Sequence, residues 1–232
     1  MSGQSSKCIQ MIFKCIEFKK KMFITKEIYK NFLVLVKNLN GVYSIINLIT
    51  HFQELQNTKN EKKDELNINN EIVIQAEYVL DMFHKKTLKN IYEISSDRYG
   101  CCFIQKYMDT VMPLKEEKIL ELIKRIKPYF EEFLTEKFAN YILQSIISYN
   151  YFSINKKIIR IILKKIDFYC NSNVTSNIVE IFLENNQYCD ELIQEVINDK
   201  PLLRKILFNP YGNYGKKFIL IFKFFFSKSL LK

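Results

Sequence analysis

One short motif recurs along this chain at nearly even spacing, and this recurrence constrains the fold more than any other feature. Each copy has a small residue followed by a position that we call x, and in most copies apolar residues follow at x+2 and x+3. The copy at Val42 has Ser44 at x+2, and the copy at Asn213 is damaged, with Lys216 at x+3. The x positions are Ser6, Val42, Cys101, Asn140, Ser176 and Asn213. Four of the five spacings between them lie from 36 to 39 residues. Such a period is typical of a chain built from stacked structural repeats.

The remaining spacing, from Val42 to Cys101, is 59 residues. It contains the stretch QELQNTKNEKKDELNINNE, residues 53–71, which is polar, alternates in charge and has few large apolar residues. Such a composition cannot contribute much to a packed core. We therefore predict that residues 53–71 form a solvated loop inserted between two repeats.

The apolar residues within each copy follow the period of an α-helix. Positions x+2, x+3, x+6 and x+7 form one stripe, whereas x, x+1 and x+4 cluster on another face. In the copy at Cys101 the apolar stripe is Phe103, Ile104, Tyr107 and Met108. We predict helices of this kind near residues 5–17, 41–52, 100–110, 139–149, 175–185 and 212–224.

The chain between these segments also has a helical pattern, as in LKEEKILELIKRIKPYFEEFL, residues 114–134. Only 5 Gly and 4 Pro occur in 232 residues, which disfavours a turn-rich β fold. Repeats of about 36 residues built only of helices form an α-solenoid. The small residue before each x should allow close approach of two backbones; these residues are Ser5, Gly41, Gly100, Ala139, Thr175 and Gly212.

The charge balance indicates a polyanionic partner. The chain has 35 Lys and Arg against 25 Asp and Glu, a net charge of +10, which suits nucleic acid or an acidic membrane surface. The apolar stretch FILIFKFFFSKSLL, residues 218–231, is too short to span a bilayer and contains lysines. We find no signal peptide and expect no membrane partner and a cytoplasmic location.

Catalysis and metal binding are disfavoured by the residues present. The six cysteines and two histidines show no zinc spacing, so we expect neither a metal, a cofactor nor a disulfide framework. No Ser/His/Asp set, phosphate-binding loop or carboxylate pair placed by a motif is evident. We therefore expect that the protein is not an enzyme.

The residues at x, x+1 and x+4 have the chemistry needed to recognise nucleobases. Residues x and x+4 lie one turn apart and can converge on the edge of one base, while x+1 stands to the side and can stack. An Asn/Gln pair suits a pyrimidine edge, Ser/Glu a guanine edge, and Cys/Gln an adenine edge. One base per helical repeat is an established mode of RNA recognition.

At this level of detail the chain resembles the Pumilio/PUF family of RNA-binding repeat proteins. The stretches DRYGCCFIQ, KFANYILQ, VTSNIVE and NPYGNY resemble, in order, the family's fifth to eighth repeats. KNLNGVYSII resembles the fourth repeat and SSKCIQ the third. The resemblance implies one array over residues 1–232, an all-α, right-handed α-solenoid of stacked three-helix repeats. It also implies single-stranded RNA, specifically mRNA 3′-untranslated regions, as the partner of a monomer, with protein co-regulators on the convex face.

The resemblance also implies a role for each motif residue, with the amino-terminal repeats over the 3′ end of the RNA. The residues implied to contact RNA are Ser6, Lys7, Gln10, Tyr43, Cys101, Cys102, Gln105, Asn140, Tyr141, Gln144, Ser176, Asn177, Glu180, Asn213 and Tyr214. Asn213 should contact U, Ser176 with Glu180 G, Asn140 with Gln144 U, and Cys101 with Gln105 A. Ser6 with Gln10 should contact a second A, two bases downstream.

Two repeats depart from the family pattern. Val42 and Ile46 replace the usual amide pair, so that repeat can only stack a base through Tyr43. Lys217 replaces the glutamine of the last repeat. The implied core is 5′-UGUANA-3′, read for post-transcriptional control of translation or stability. Two alternatives stay open: a ribosome-assembly factor of PUF type with little base selectivity, and a protein-binding scaffold of the armadillo or HEAT kind.

Overall fold

The regular secondary structure of the described residues is helical, with no strand among them. The computed structural model describes residues 11–13, 15–61, 70–111, 115–170, 172–184, 188, 194 and 197–208, apart from the side chains of 58–61, 183, 206 and 207. No helix within these ranges is long and apolar enough to cross a bilayer.

The helices follow a repeated order of long, short and motif helix, where the motif helix is the one that carries x, x+1 and x+4. In chain order the helices are α1 Phe18–Lys30, α2 Phe32–Val36, α3 Leu39–Glu61, α4 Asn70–Lys89, α5 Ile91–Ser95, α6 Arg98–Val111, α7 Glu116–Ile126, α8 Phe130–Thr135, α9 Asn140–Ser148, α10 Phe152–Lys164, α11 Ile166–Cys170, α12 Ser176–Glu184 and α13 Lys200–Phe208. The motif helices α3, α6, α9 and α12 agree with the predicted segments within a few residues at most ends. We name each repeat by its x residue.

The predicted loop over residues 53–71 is wrong for much of its length. Helix α3 continues to Glu61 and α4 begins at Asn70, while residues 62–69 lie outside the described residues. Phe52 and Gln53 are buried, and the residues that follow contain no Gly or Pro and several good helix formers. Over residues 53–61 and 70–71 the polar composition therefore belongs to helices and not to a loop.

Two compact halves make up the chain, Met1–Lys127 and Pro128–Lys232. In the first half, the core joins a short, a long and a motif helix through aromatic rings. Phe32 makes edge contacts with Phe83 and Phe103, at centroid distances of 5.9 and 5.6 Å. All three rings are fully buried, so each repeat completes the core of its neighbour.

Ion pairs join successive repeats within each half. In the first half Lys37 donates to Glu93 of α5 at 2.6 Å, and Lys118 of α7 pairs with Asp81 of α4. In the second half Lys165 donates to Glu131 at 2.8 Å and Lys205 to Asp167 at 3.0 Å. In three pairs the partners are 34 to 38 residues apart, about one repeat, whereas Lys37 and Glu93 are 56 residues apart because the stretched spacing lies between them. Such pairs are expected for stacked units that contact only their neighbours.

The predicted apolar stripes form the buried side of the motif helices. Phe103, Ile104, Tyr107 and Met108 of α6 are all buried, as are Ile142, Leu143, Ile146 and Ile147 of α9. This burial fixes the rotation of each helix about its axis, and the rotation decides where x, x+1 and x+4 lie.

Candidate functional site

A polar residue four positions before x holds the start of each described motif helix. Its side-chain oxygen accepts hydrogen bonds from the backbone N–H groups two and three residues later. The four residues are Asn38, Asp97, Glu136 and Ser172, with bond lengths from 2.7 to 3.4 Å. These bonds satisfy backbone donors in the first turn of α3 and α6 and in the turn that leads into α9 and α12.

Close backbone approach at the small residue is confirmed in two repeats. A Cβ atom built on Gly41 would lie 2.2 Å from the carbonyl oxygen of Leu35, and one on Gly100 would lie 2.1 Å from that of Ile94. The short helix thus packs directly against the motif helix. In the other half Thr175 holds this position and donates its hydroxyl to the carbonyl of Leu134 at 2.7 Å.

The Ser176 repeat presents a carboxylate at x+4 of its motif helix. Ser176 and Glu180 are half-buried one turn apart on α12, and Asn177 beside them is exposed. Helix α12 contains no basic residue. Glu180 has no hydrogen-bond or ion-pair partner among the residues that the structure describes. A partly desolvated carboxylate of this kind is stabilised by a ligand that donates N–H groups.

The Asn140 repeat joins its x and x+4 side chains. Gln144 Nε2 donates to Asn140 Oδ1 at 2.9 Å, and Asn140 Nδ2 donates to the backbone carbonyls of Glu136 and Lys137 at 2.9 and 2.8 Å. Asn140 is only 2% exposed, whereas Gln144 is half-buried and Tyr141 is 46% exposed. Gln144 and Tyr141 therefore have most of the accessible surface of this motif.

The Cys101 repeat has thiols at x and x+1. Cys101 and Cys102 both direct Sγ–H at the carbonyl of Arg98, at 3.1 and 3.4 Å. Burial, followed by the neighbouring Cys102, raises the pKa of the Cys101 thiol to about 12. The thiol is therefore uncharged at physiological pH and suits a van der Waals contact. Gln105, the x+4 residue, is half-buried.

The Val42 repeat offers an aromatic ring and no polar edge at x or x+4. Val42 is 1% exposed, and Ile46 and Tyr43 are half-buried. The remaining predicted contacts, Ser6, Lys7, Gln10, Asn213 and Tyr214, lie outside the described residues. Across the described repeats, x+4 is half-buried and x is buried except at Ser176. The sequence predicted that x, x+1 and x+4 cluster on one face of each helix but did not predict how far each of them is exposed.

Comparison with known proteins connects this geometry to a family. Residues 90–110, which hold α5 and most of α6 with Cys101 and Gln105, match the Pumilio-family RNA-binding repeat. This segment is therefore similar to a Pumilio-family repeat. The resemblance to the Pumilio/PUF family that the motifs predict is confirmed.

A longer relative extends the similarity beyond residues 90–110. A Pumilio domain-containing protein of Schizosaccharomyces pombe is 24% identical over 193 residues, which are 82% of this chain and 24% of that protein. The chain thus spans about a quarter of the length of this curated relative.

Solved structures show the same Pumilio fold. The Puf4 RNA-binding domain bound to an HO endonuclease RNA 3′-untranslated recognition sequence matches with a TM-score of 0.63 and 21% identity, over 90% of this chain and 70% of that one. PUF-8 in complex with PBE-RNA matches with a TM-score of 0.64 and 17% identity, over 90% and 56%. The predicted all-α, right-handed solenoid is confirmed.

Charge is distributed unevenly between the helices of the repeats, which the net charge alone does not reveal. The long helix α1 contains five lysines and one glutamate, and the long helix α10 contains four basic residues and no acidic one. The motif helix α12 contains two glutamates and no basic residue. Among the described residues, much of the excess positive charge therefore lies on long helices.

The capping residues were also missed, although the sequence contains their signal. A residue with a side-chain oxygen stands at x−4 in all four described repeats, at Asn38, Asp97, Glu136 and Ser172. Ser, Asp and Asn are favoured at helix starts, so an alignment of the repeats on x would have revealed them. These residues position the motif helix and are not expected to contact a ligand themselves.

Proposed function

We propose that the protein binds single-stranded RNA in a sequence-selective manner, with one base opposite each motif helix and a core of 5′-UGUANA-3′. The observation that carries the proposal is the half-buried Glu180 carboxylate beside Ser176, which has no cationic or hydrogen-bonding partner among the described residues. The N–H donors of a guanine edge would provide a partner for this carboxylate. RNA complexes of Puf4 and PUF-8 with the same fold support the choice of ligand.

The biological setting is proposed from the same resemblance. We infer an mRNA 3′-untranslated region as the target, a monomer in the cytoplasm as the binding species, and control of translation or message stability as the outcome. Protein co-regulators would bind away from the motif helices.

The experiment that tests the proposal is selection from a random RNA pool, with the bound RNAs sequenced after several rounds. We expect enrichment of UGUA followed by one unconstrained base and A. A Glu180→Gln variant selected in parallel should lose the guanine at the second base and keep the flanking bases. Enrichment of no consensus by the unaltered protein would overturn the proposal.

A second candidate, RNA binding with little base selectivity, is favoured by the lysines of α1. Nonselective binding relies on phosphate contacts and weakens steeply with salt. Replacing Lys19, Lys20 and Lys26, which are exposed, with glutamine separates the two candidates. Under the principal proposal, these substitutions leave the preference for UGUA over UCUA unchanged, whereas under the second candidate they remove most of the binding and no such preference exists.

A further inference from the structure

One cation of the motif helices lies directly over an aromatic ring of the neighbouring repeat. Lys106 Nζ is 5.0 Å from the ring centroid of Tyr43. Tyr43 is the x+1 residue of α3, and Lys106 is the x+5 residue of α6. Both side chains are half-buried and both lie in Met1–Lys127. The pair therefore joins the surfaces of two successive motif helices.

This cation has no equivalent at x+5 in the other described repeats. The corresponding residues are Asn47, Ser145 and Ile181. No carboxylate among the described residues forms an ion pair with Lys106, although ion pairs join these repeats elsewhere. The Tyr43 ring is thus the contact that holds the ammonium, and a cation over a partly exposed ring is bound weakly compared with a cation on a phosphate.

We propose that Lys106 leaves the Tyr43 ring when RNA binds and contacts the phosphate between the fourth and fifth nucleotides. The inference rests on the proposed function, in which the fourth base lies opposite the Cys101 repeat and the fifth opposite the Val42 repeat. The linking phosphate then passes between α6 and α3, where Lys106 lies. The ring face that Lys106 vacates becomes available for stacking by the fifth base.

This role accounts for how a repeat without polar residues at x and x+4 holds its nucleotide. Val42 and Ile46 provide no hydrogen bond to a base, so stacking on Tyr43 and a backbone contact from Lys106 together supply the affinity. Neither interaction depends on base identity. Lys106 acts as a positioning residue for the fifth nucleotide, and any base is tolerated there.

A cycle that combines a protein substitution with a neutral backbone linkage tests the proposal. The RNA UGUAUA is synthesised with one methylphosphonate, either between nucleotides four and five or between nucleotides one and two. For the unaltered protein, we expect the first modification to weaken binding about tenfold, the scale of one charge-assisted hydrogen bond. Lys106→Met should bind the unmodified RNA and the RNA modified between nucleotides four and five with the same weakened affinity. Lys106→Arg should restore the difference in affinity between these two RNAs.

The controls separate this contact from general electrostatics and from the proposed function. Lys124→Met removes an exposed lysine of α7 in the same half and should preserve the full effect of the methylphosphonate between nucleotides four and five. The salt dependence of binding should decrease by about 0.7 in logarithmic slope for Lys106→Met, the value for one phosphate of a single strand. Equal sensitivity of the unaltered protein and Lys106→Met to that linkage would overturn the Lys106 contact while leaving selectivity for UGUA intact. Loss of selectivity for UGUA over UCUA in the unaltered protein would overturn the proposed function itself, and the Lys106 contact with it.

Discussion

The side-chain amide of Gln144 donates to the side-chain carbonyl of Asn140 at 2.9 Å, one helical turn away on α9. This bond shows that the x and x+4 side chains of one repeat meet on the same face. It also aligns the Gln144 amide before any ligand arrives, which lowers the entropy lost on binding. The Ser176 repeat has a different pair at the same two positions, and this difference makes specificity transferable.

Replacing Ser176 with Asn and Glu180 with Gln should change the preferred second base from G to U. The substitutions replace a carboxylate, which only accepts, with an amide that both donates and accepts. Each contact to a base edge is worth about 1–3 kcal/mol, so the preference should reverse by at least several-fold. Competition binding with UGUA and UUUA RNAs measures this change in preference at the second base. The helix should persist in circular dichroism because Ile178, Val179 and Phe182 remain buried; a folded variant that retains its guanine preference would contradict the assignment.

The fifth base of the RNA should be tolerated. Val42 is 1% exposed and Ile46 is aliphatic, so the Val42 repeat cannot form a hydrogen bond to a base edge. We expect differences below about 1 kcal/mol among the four bases, which is less than one direct edge contact. Val42→Asn with Ile46→Gln should create a preference for U at this position. A tenfold preference in the unaltered protein would contradict this prediction.

Gly100→Ala should destabilise the fold, although alanine is normally the better helix former by about 1 kcal/mol. The new Cβ would lie 2.1 Å from the carbonyl oxygen of Ile94, so α5 and α6 would have to move apart. Overpacking of this kind typically costs about 1–3 kcal/mol. Chemical denaturation of Gly100→Ala, and of a Ser145→Ala control on α9, measures whether the free energy of unfolding falls or rises. A Gly100→Ala variant as stable as the unaltered chain would show that the two helices separate at little cost.

Stability should fall as the pH drops below the ordinary pKa of histidine, about 6.5. His84 is buried, with Nδ1 2.7 Å from the Tyr107 hydroxyl and Nε2 3.0 Å from Glu121. Burial lowers the pKa of His84, and the hydrogen bond with Glu121 opposes the change only in part. The unfolded chain therefore binds a proton before the folded chain does, and stability decreases as the pH falls toward the folded pKa.

Denaturation at pH 7.5 and pH 5.5 tests the role of His84. The unaltered protein should lose more free energy of unfolding between these values than His84→Gln, whose amide does not titrate. Equal losses in both proteins would assign the pH dependence to other groups.

The repeats, the helices and the apolar stripes could be predicted from the sequence because helical periodicity and motif spacing are local properties. The x+2, x+3, x+6 and x+7 stripe of α6 is buried as predicted, and the close approach at Gly41 and Gly100 is confirmed. Residues 53–61 were assigned wrongly, because a polar composition does not distinguish a solvated loop from the exposed side of a helix.

Only the tertiary structure decided how the motif side chains are presented. Cys101 and Asn140 are buried, Tyr141 is exposed, and Glu180 lacks a partner among the described residues, yet helical periodicity assigns all of them to the same polar set of x, x+1 and x+4. Their burial depends on the neighbouring helices packed against them, and that packing is a long-range property. The contact between Lys106 and Tyr43 arises in the same way, since 63 residues separate the two in sequence and only the stacking of repeats brings them together.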